Sequence, residues 1–323
     1  ICAKIAINIL GDNQAILRLP SLLFGLSNIL LIFLVVKYIS PKGSGLFACF
    51  MLSCMPIIIY YDTLARGYTA LSTFSLLLLL LSYKFIKTKS MNSLMFIIII
   101  SSLGFLTIPT FAFPLLGTLF WLSFQLFRSK EIFRNKIIFS LLGIIFGIIC
   151  CTIILYNPTI IFSNGIDKII FNQFIKGDHF AIFPNELPYF IINTLNLFFS
   201  GYGGLMLLII LILIFLSYRR NFHKQYSEFI LFQLSAIILI ILCRGTIPPS
   251  RVLLFIVPYL IVGIDIYISA LLKQKQINYL PYTLPCLQII IVVMIISKGT
   301  ILSFNGFIEA PEVINYLRKT PLD

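Results

Sequence analysis

The feature that most constrains this chain is a series of apolar runs, each close to the thickness of a lipid bilayer. Leu19 to Val36, Ser44 to Tyr61, Tyr68 to Tyr83 and Ile137 to Tyr156 approach or reach the roughly 20 residues that one helical span needs. With 59% hydrophobic and only 11% charged residues, the composition excludes a water-soluble domain. The runs are apolar on every face, whereas barrel strands alternate. The sequence therefore predicts an all-α, polytopic helical membrane protein.

About ten transmembrane helices are predicted from these runs and the polar breaks between them. They cover residues 19–36, 44–61, 68–83, 91–107, 110–127, 137–156, 190–217, 228–243, 252–272 and 280–297. The shortest break is Thr107-Ile108-Pro109-Thr110, which is either an outer turn or a kink within one helix. Basic residues at the far ends of the two adjoining spans favour the turn.

The net charge of +13 is distributed as membrane topology requires. If the first span runs from outside to inside, fourteen of the 24 Lys and Arg residues fall in cytoplasmic loops, where such residues collect. A nucleic-acid site would not produce this alternation between loops. We therefore expect an integral membrane protein with no nucleic-acid partner.

The same topology divides the chain into three parts. Residues 1–18 are an outer amphipathic segment, residues 19–298 are the transmembrane core with a long outer loop at about 157–189, and residues 299–323 begin an outer soluble domain. The chain lacks an initiator Met and the pattern of a signal peptide. Because residues 1–18 already lie outside, we expect an earlier span upstream of Ile1, and we expect the soluble domain to be truncated.

The cysteines and histidines give no sign of a disulfide framework or a zinc site. Seven cysteines are an odd number, and five of them lie inside apolar runs, where a thiol acts as a small hydrophobic group. Cys2 and Cys243 are close enough to the outer surface to pair, but nothing in their spacing demands it. We expect no cofactor and no zinc, and a role for another divalent metal stays open.

Arginines at the outer ends of the spans are the strongest candidates for function: Arg18, Arg66, Arg244 and Arg251. A charge beside hydrocarbon is costly unless it binds a partner or faces water, and topology does not explain arginines on the outer side. Guanidinium presents a planar fork that matches phosphate oxygens. An anionic phosphate is therefore the expected ligand.

Four short segments occur in a recognisable order along the chain. They are Leu17-Arg18-Leu19-Pro20-Ser21-Leu22-Leu23-Phe24-Gly25, the stretch from Pro56-Ile57-Ile58-Ile59-Tyr60-Tyr61 to Ala65-Arg66-Gly67-Tyr68, Pro248-Pro249-Ser250-Arg251-Val252-Leu253-Leu254-Phe255-Ile256-Val257-Pro258, and Ala310-Pro311-Glu312-Val313-Ile314-Asn315-Tyr316-Leu317. In order and spacing they resemble the integral-membrane glycosyltransferases of the GT-C fold. Within that group the chain is similar to the lipid-A aminoarabinose transferases, the protein O-mannosyltransferase superfamily and the rhizobial lipopolysaccharide core transferases.

The resemblance implies that a sugar is transferred from a polyprenyl-phosphate donor to an envelope lipid, glycan or protein. It implies a site on the outer face of the bacterial cytoplasmic (inner) membrane. Members of the family usually keep their principal catalytic carboxylate in the first outer loop, upstream of the segment that matches residues 1–18. This chain is therefore expected to lack its main general base.

Such a transfer needs a carboxylate that takes a proton from the acceptor and cations that stabilise the departing phosphate. Arg66 is the first choice for the phosphate, ahead of Arg251, Arg244 and Arg18; each has the alternative of an interfacial ion pair or a snorkelling side chain. Asp62 is the available carboxylate in the short outer loop. Its spacing of four from Arg66 favours a helical ion pair, which would make it a weaker base.

Other outer residues are candidates for donor or acceptor contacts. Tyr61 and Tyr68 fit either donor binding or the interfacial aromatic belt, and the belt is favoured. Lys176, Asp178 and His179 lie in the long outer loop, which fits an acceptor cleft or an ordinary lid. A metal or proton-shuttle role for His179 has the simpler alternative of a solvated side chain.

The remaining expectations concern geometry and rival functions. Asp265 lies inside a span and is expected to bond to a neighbouring helix. An enzyme predicts an outer cleft where Arg66, Arg251 and the long loop converge. A transporter would instead show inverted repeats, broken helices near mid-membrane and a polar crossing path. A non-catalytic subunit that binds a lipid carrier would look like the enzyme in this chain.

Overall fold

The computed structural model describes residues 9–11, 13–41, 45–64, 66–128, 142–154, 186–199, 223–244 and 248–274, together with residues 201, 204, 205, 208, 211, 212 and 215. Regular structure in this part of the chain is helical throughout, without strands. Four helices are long and apolar enough to cross a membrane, and a bent pair makes a fifth candidate. The predicted class of all-α, polytopic helical membrane protein is confirmed.

We number ten helices in chain order. They are α1 (Gln14–Ile39), α2 (Leu46–Cys54), α3 (Pro56–Thr63), α4 (Tyr68–Thr88), α5 (Met91–Thr107), α6 (Ala112–Arg128), α7 (Leu142–Ile154), α8 (Glu186–Phe198), α9 (Lys224–Arg244) and α10 (Ile256–Gln274). Most correspond to predicted spans with ends shifted by a few residues. The predicted span at 280–297 lies outside the described residues.

Helix α1 carries the contacts that later organise the site. It begins after Asn13, whose side chain accepts a hydrogen bond from the backbone N–H of Ala15 at 3.2 Å and so caps the helix. The buried residues recur at helical spacing along one face, and α3 and α4 pack against this helix. That face includes Ser21, Gly25, Asn28, Ile32 and Val35. Leucines on other faces of the helix are exposed, as expected for contact with lipid.

The predicted span at 44–61 is broken, which corrects the expectation of one continuous helix. Helices α2 and α3 meet at a bend of 65°. Met55 between them is extended, with φ −71° and ψ 120°. The physical reason is Pro56, because a residue before proline is disfavoured in the helical conformation and proline itself has no N–H to continue the ladder.

The predicted span at 190–217 is also divided. Helix α8 begins earlier, at Glu186, and ends at Phe198. Gly201 then adopts a left-handed conformation with φ 89°, and its N–H donates to the carbonyl of Asn196 at 2.7 Å. Glycine in this conformation is a common helix terminator because it has no Cβ to clash. The described residues between 204 and 215 are helical again.

The join at Thr107-Ile108-Pro109-Thr110 separates two helices. Ile108 is extended, with φ −153° and ψ 132°, and residues Pro109–Phe111 form a short 3-10 helix that leads into α6. The Phe111 ring packs into the space left by Gly104, where an added Cβ would lie 2.7 Å from the ring. The helical structure is therefore interrupted between α5 and α6, where the proline predicts a break.

The centre of the fold is an aromatic cluster between α4, α6, α9 and α10. Trp121 is fully buried between Tyr83 and Phe229, with ring centroids 4.7 Å and 5.3 Å away. Its indole N–H donates to the carbonyl of Gln225 at 3.0 Å. This packing lies toward the predicted cytoplasmic ends of the helices and holds α4, α6, α9 and α10 together there.

Candidate functional site

Three tyrosines meet at the ends of α3 and α4 that the sequence predicts to face outward, which are called the outer ends below. The rings of Tyr60 and Tyr61 are 5.3 Å apart and those of Tyr61 and Tyr68 are 5.4 Å apart, both in edge-to-face arrangements. The Tyr61 side chain is the buried member of the group. Thr69 reinforces the contact because its hydroxyl donates to the Tyr61 carbonyl at 3.1 Å. The two helix ends are thus held together around Tyr61.

Arg66 is carried by a tight turn between these helices. Helix α3 ends at Thr63, and Leu64 is extended. The backbone N–H of Arg66 donates to the carbonyl of Leu64 at 2.7 Å. Gly67 packs closely against Thr107 and Ile108, since an added Cβ would lie 3.0 Å from both side chains. The turn is therefore fixed on two sides while the Arg66 side chain remains exposed.

The predicted ion pair between Asp62 and Arg66 is not formed. Residues four apart face each other only on a continuous helix, and here the helix stops between them. Asp62 instead places its carboxyl group against Gly25 of α1. A Cβ at Gly25 would lie 2.5 Å from Oδ2 and 2.6 Å from Cγ of Asp62. Asp62 is therefore not weakened as a base by an ion pair with Arg66.

Arg251 lies in a second outer turn, the short 3-10 helix Ser250–Leu253 that follows Pro249. Its Nε atom is buried and has no hydrogen-bond partner in the described part of the chain. The neighbouring Ser250 hydroxyl is 2.9 Å from the hydroxyl of Thr194 in α8. A buried guanidinium N–H without a partner is unusual in a protein, and it leaves a donor for an anionic ligand.

Both turns place a positive charge within electrostatic range of Tyr61. The charges of Arg251 and Arg66 both act on the Tyr61 side chain. The two arginines are far apart in sequence, so the fold brings both charges into range of this side chain. Two cations around a hydroxyl that can donate a hydrogen bond form a suitable environment for a phosphate.

The structure describes only some of the other predicted site residues. Arg18 lies inside α1 rather than before it, is partly buried and has contacts of its own. It is seven residues from Gly25 and therefore on the same face, about 10 Å further out. Arg244 ends α9, and its side chain is outside the described residues, as are Lys176, Asp178 and His179. No cluster of three or more His, Cys, Asp or Glu side chains occurs among the residues that the structure describes.

The sequence reasoning missed the polar face of α1. The Ser21 hydroxyl lies 3.5 Å from the carbonyl oxygen of Arg66, and the Asn28 side-chain amide donates to the carbonyl of Thr69 at 3.3 Å. Gly25 lies between these two contacts. The available signal was a set of small and polar residues at helical spacing within an otherwise apolar span, which is typical of close helix contacts in membranes.

Comparison with known proteins gives one match. Residues 2–156 match the family model described as dolichyl-phosphate-mannose-protein mannosyltransferase. The matched range is slightly less than half of the chain; it includes Tyr61, Asp62 and Arg66 and ends before Arg251. This match supports a membrane glycosyltransferase family of the GT-C type. No curated protein and no solved structure is similar enough to the chain to count as a match.

Proposed function

We propose that this protein is a membrane glycosyltransferase that moves a sugar from a polyprenyl-phosphate donor to an envelope lipid, glycan or protein on the outer face of the membrane. The observation that carries the proposal is the buried Nε of Arg251, which has no hydrogen-bond partner in the described part of the chain and whose charge, like that of Arg66, acts on Tyr61. The family match supports the same reaction class, because its description names a polyprenyl-phosphate sugar, dolichyl-phosphate mannose, as the donor.

Each group has a role in this reaction. The acceptor oxygen attacks the anomeric carbon of the sugar, the bond from that carbon to the phosphate oxygen breaks, and the acceptor proton passes to a carboxylate. Arg66 and Arg251 stabilise the negative charge that the phosphate gains as it leaves. Asp62 is assigned a proton-accepting role. Tyr61 and Tyr68 are assigned contacts with the donor.

The test is Arg66→Ala in the complete protein in native membranes. We expect the rate of transfer from polyprenyl-phosphate mannose to fall at least about tenfold, equivalent to about 1.4 kcal/mol of lost transition-state stabilisation. Lys84→Ala removes an exposed positive charge from the opposite end of α4 and is the matched control. Undiminished turnover by a folded Arg66→Ala variant would contradict the assignment.

A transporter is the second candidate, because the break between α2 and α3 is a feature of transporter folds. The surroundings of the break argue against it. Met55 is fully buried within the hydrophobic core, so the broken backbone does not line a polar path. A transporter would move labelled lipid-linked sugar across vesicles without forming a glycosylated product. A non-catalytic subunit would bind the donor, and Arg66→Ala would weaken that binding, with no turnover in either protein.

A further inference from the structure

Gly25 lies where α1 packs against Asp62 of α3. A Cβ at this position would lie 2.5 Å from Oδ2, 2.6 Å from Cγ and 3.1 Å from Oδ1 of Asp62, closer than side-chain carbons normally approach. The backbone of Gly25 is in the middle of a regular helix, so no unusual conformation calls for glycine there. Glycine weakens a helix relative to alanine. Its presence is therefore explained by the space that the Asp62 carboxyl group occupies.

Contacts on both sides of Gly25 limit how far α1 can retreat. Ser21, four residues before it, is in contact with the carbonyl of Arg66, and Asn28, three residues after it, donates to the carbonyl of Thr69. Both partners belong to the segment that immediately follows Asp62. A methyl group at position 25 would therefore displace the carboxyl group of Asp62 more easily than the helix itself.

Charge does not hold Asp62 in place. No ion pair joins it to Arg66, and its carboxyl group packs on a helix backbone at the outer end of the bundle. The Thr69 side chain interacts with this carboxylate by hydrogen bonding, and the space left by Gly25 on α1 sets how far the carboxylate can turn relative to Tyr61. This makes the position of Asp62 sensitive to a single residue that itself touches no substrate.

We propose that Gly25 is a positioning residue, whose missing side chain seats the Asp62 carboxylate where it meets the acceptor hydroxyl. The inference rests on the proposed function for its catalytic consequence and on packing alone for its structural part. It distinguishes the acceptor side of the site, set by Gly25 and Asp62, from the phosphate side, set by Arg66 and Arg251.

The experiment compares Gly25→Ala with Gly143→Ala in the complete protein. Gly143 in α7 is the matched control, because a Cβ there meets no described atom within 4 Å outside its own helix backbone. The first measurement is the labelling of Asp62 by a water-soluble carbodiimide, followed by mass spectrometry of intact membranes. We expect Gly25→Ala to raise the labelling several-fold, since the carboxyl group is expelled toward water, and Gly143→Ala to leave it unchanged.

The second measurement separates kcat from KM for polyprenyl-phosphate mannose. We expect Gly25→Ala to lower kcat about tenfold with KM for the donor changed by less than about twofold, because the phosphate contacts remain. The double variant Gly25→Ala/Asp62→Ala removes the clash and keeps the test valid if Gly25→Ala alone folds poorly. If Gly25 acts through Asp62, the double variant loses no more activity than Asp62→Ala.

The outcomes separate the two proposals. Unchanged labelling of Asp62, or additive losses in the double variant, would overturn the role of Gly25 even if the enzyme is active. Raised labelling together with full turnover by Arg66→Ala and Arg251→Ala would support the packing and defeat the proposed phosphate site.

Discussion

The charged groups at the two ends of the bundle differ in their partners. At the inner end, the buried carboxylate of Glu228 accepts hydrogen bonds from Gln125 at 2.6 Å and from Arg128 at 2.8 Å. At the outer end, Asp62 interacts with the Thr69 side chain but with no cation among the described residues, and the Nε of Arg251 is buried without a partner in the same part of the chain. Saturated polar groups stabilise a fold, whereas unsaturated ones are available to a ligand.

Asp265 follows the inner pattern. Its Oδ2 accepts from the backbone N–H of Ala48 at 3.0 Å and its Oδ1 accepts from the Ser269 hydroxyl at 3.2 Å. The N-cap residue of α2 is Gly45, which has no side chain to cap the helix, so Asp265 supplies the cap from α10. The expectation that Asp265 bonds to a neighbouring helix is confirmed. Its charge therefore has a structural explanation, unlike that of Arg251.

The largest effect should come from removing both outer cations. In Arg66→Ala/Arg251→Ala we expect transfer from polyprenyl-phosphate mannose to fall about a hundredfold, or about 2.7 kcal/mol, if each guanidinium contributes about a tenfold factor. The unfolding midpoint should hardly change, because neither guanidinium forms an ion pair with a described carboxylate that would be left unpaired. A clear loss of stability would show that the arginines at the outer end stabilise the fold, as the Glu228 network does at the inner end.

Glu228→Ala should have the opposite signature. It leaves the Gln125 amide and Arg128 without their acceptor, and we expect the free energy of unfolding to drop by about 2 kcal/mol. Activity per folded molecule should remain near the wild-type value. Denaturant unfolding in detergent measures the first quantity, with Ser235→Ala, an exposed change in the same helix, as the control. Unchanged stability would count against a structural role for this network.

Asp265→Asn should produce the smallest change. Asparagine can keep the bond from Ala48 with its oxygen and can only donate to the Ser269 hydroxyl with its amide, but it brings no negative charge to the start of α2, and we expect a loss of about 1 kcal/mol, as for a helix cap. Ser269→Ala removes only one donor to the same carboxylate and should cost less. The same unfolding measurement ranks the two variants, and the reverse order would argue against capping of α2.

Much of the helical framework follows from the sequence alone. Span-length apolar runs predict the helices because an unpaired backbone is not tolerated in lipid. The predicted limits at 91–107 agree with α5, and the proline at 109 gives the break before α6. The break at Met55 also had a signal, since Pro56 disfavours a helical conformation in the residue before it. The apolar character of the whole run concealed this local effect.

The site was less accessible to sequence reasoning. The spacing of Asp62 and Arg66 predicts an ion pair only if the helix continues, and α3 ends at Thr63, between the two residues. The approach of Arg251 to Tyr61 is set by tertiary structure across 190 positions. Gly25 carries no chemistry of its own, so its relation to Asp62 is visible only when two helices are placed side by side.

The cap on α2 also bears on how the protein is made. Asp265 follows Ala48 by 217 residues, and the chain is synthesised from its amino end. The short helix that leads into the Tyr61 region must therefore enter the bilayer with the first turn of its backbone unsatisfied by this carboxylate. Its final anchoring awaits insertion of α10, so maturation of the outer end is coupled to a late step of biosynthesis.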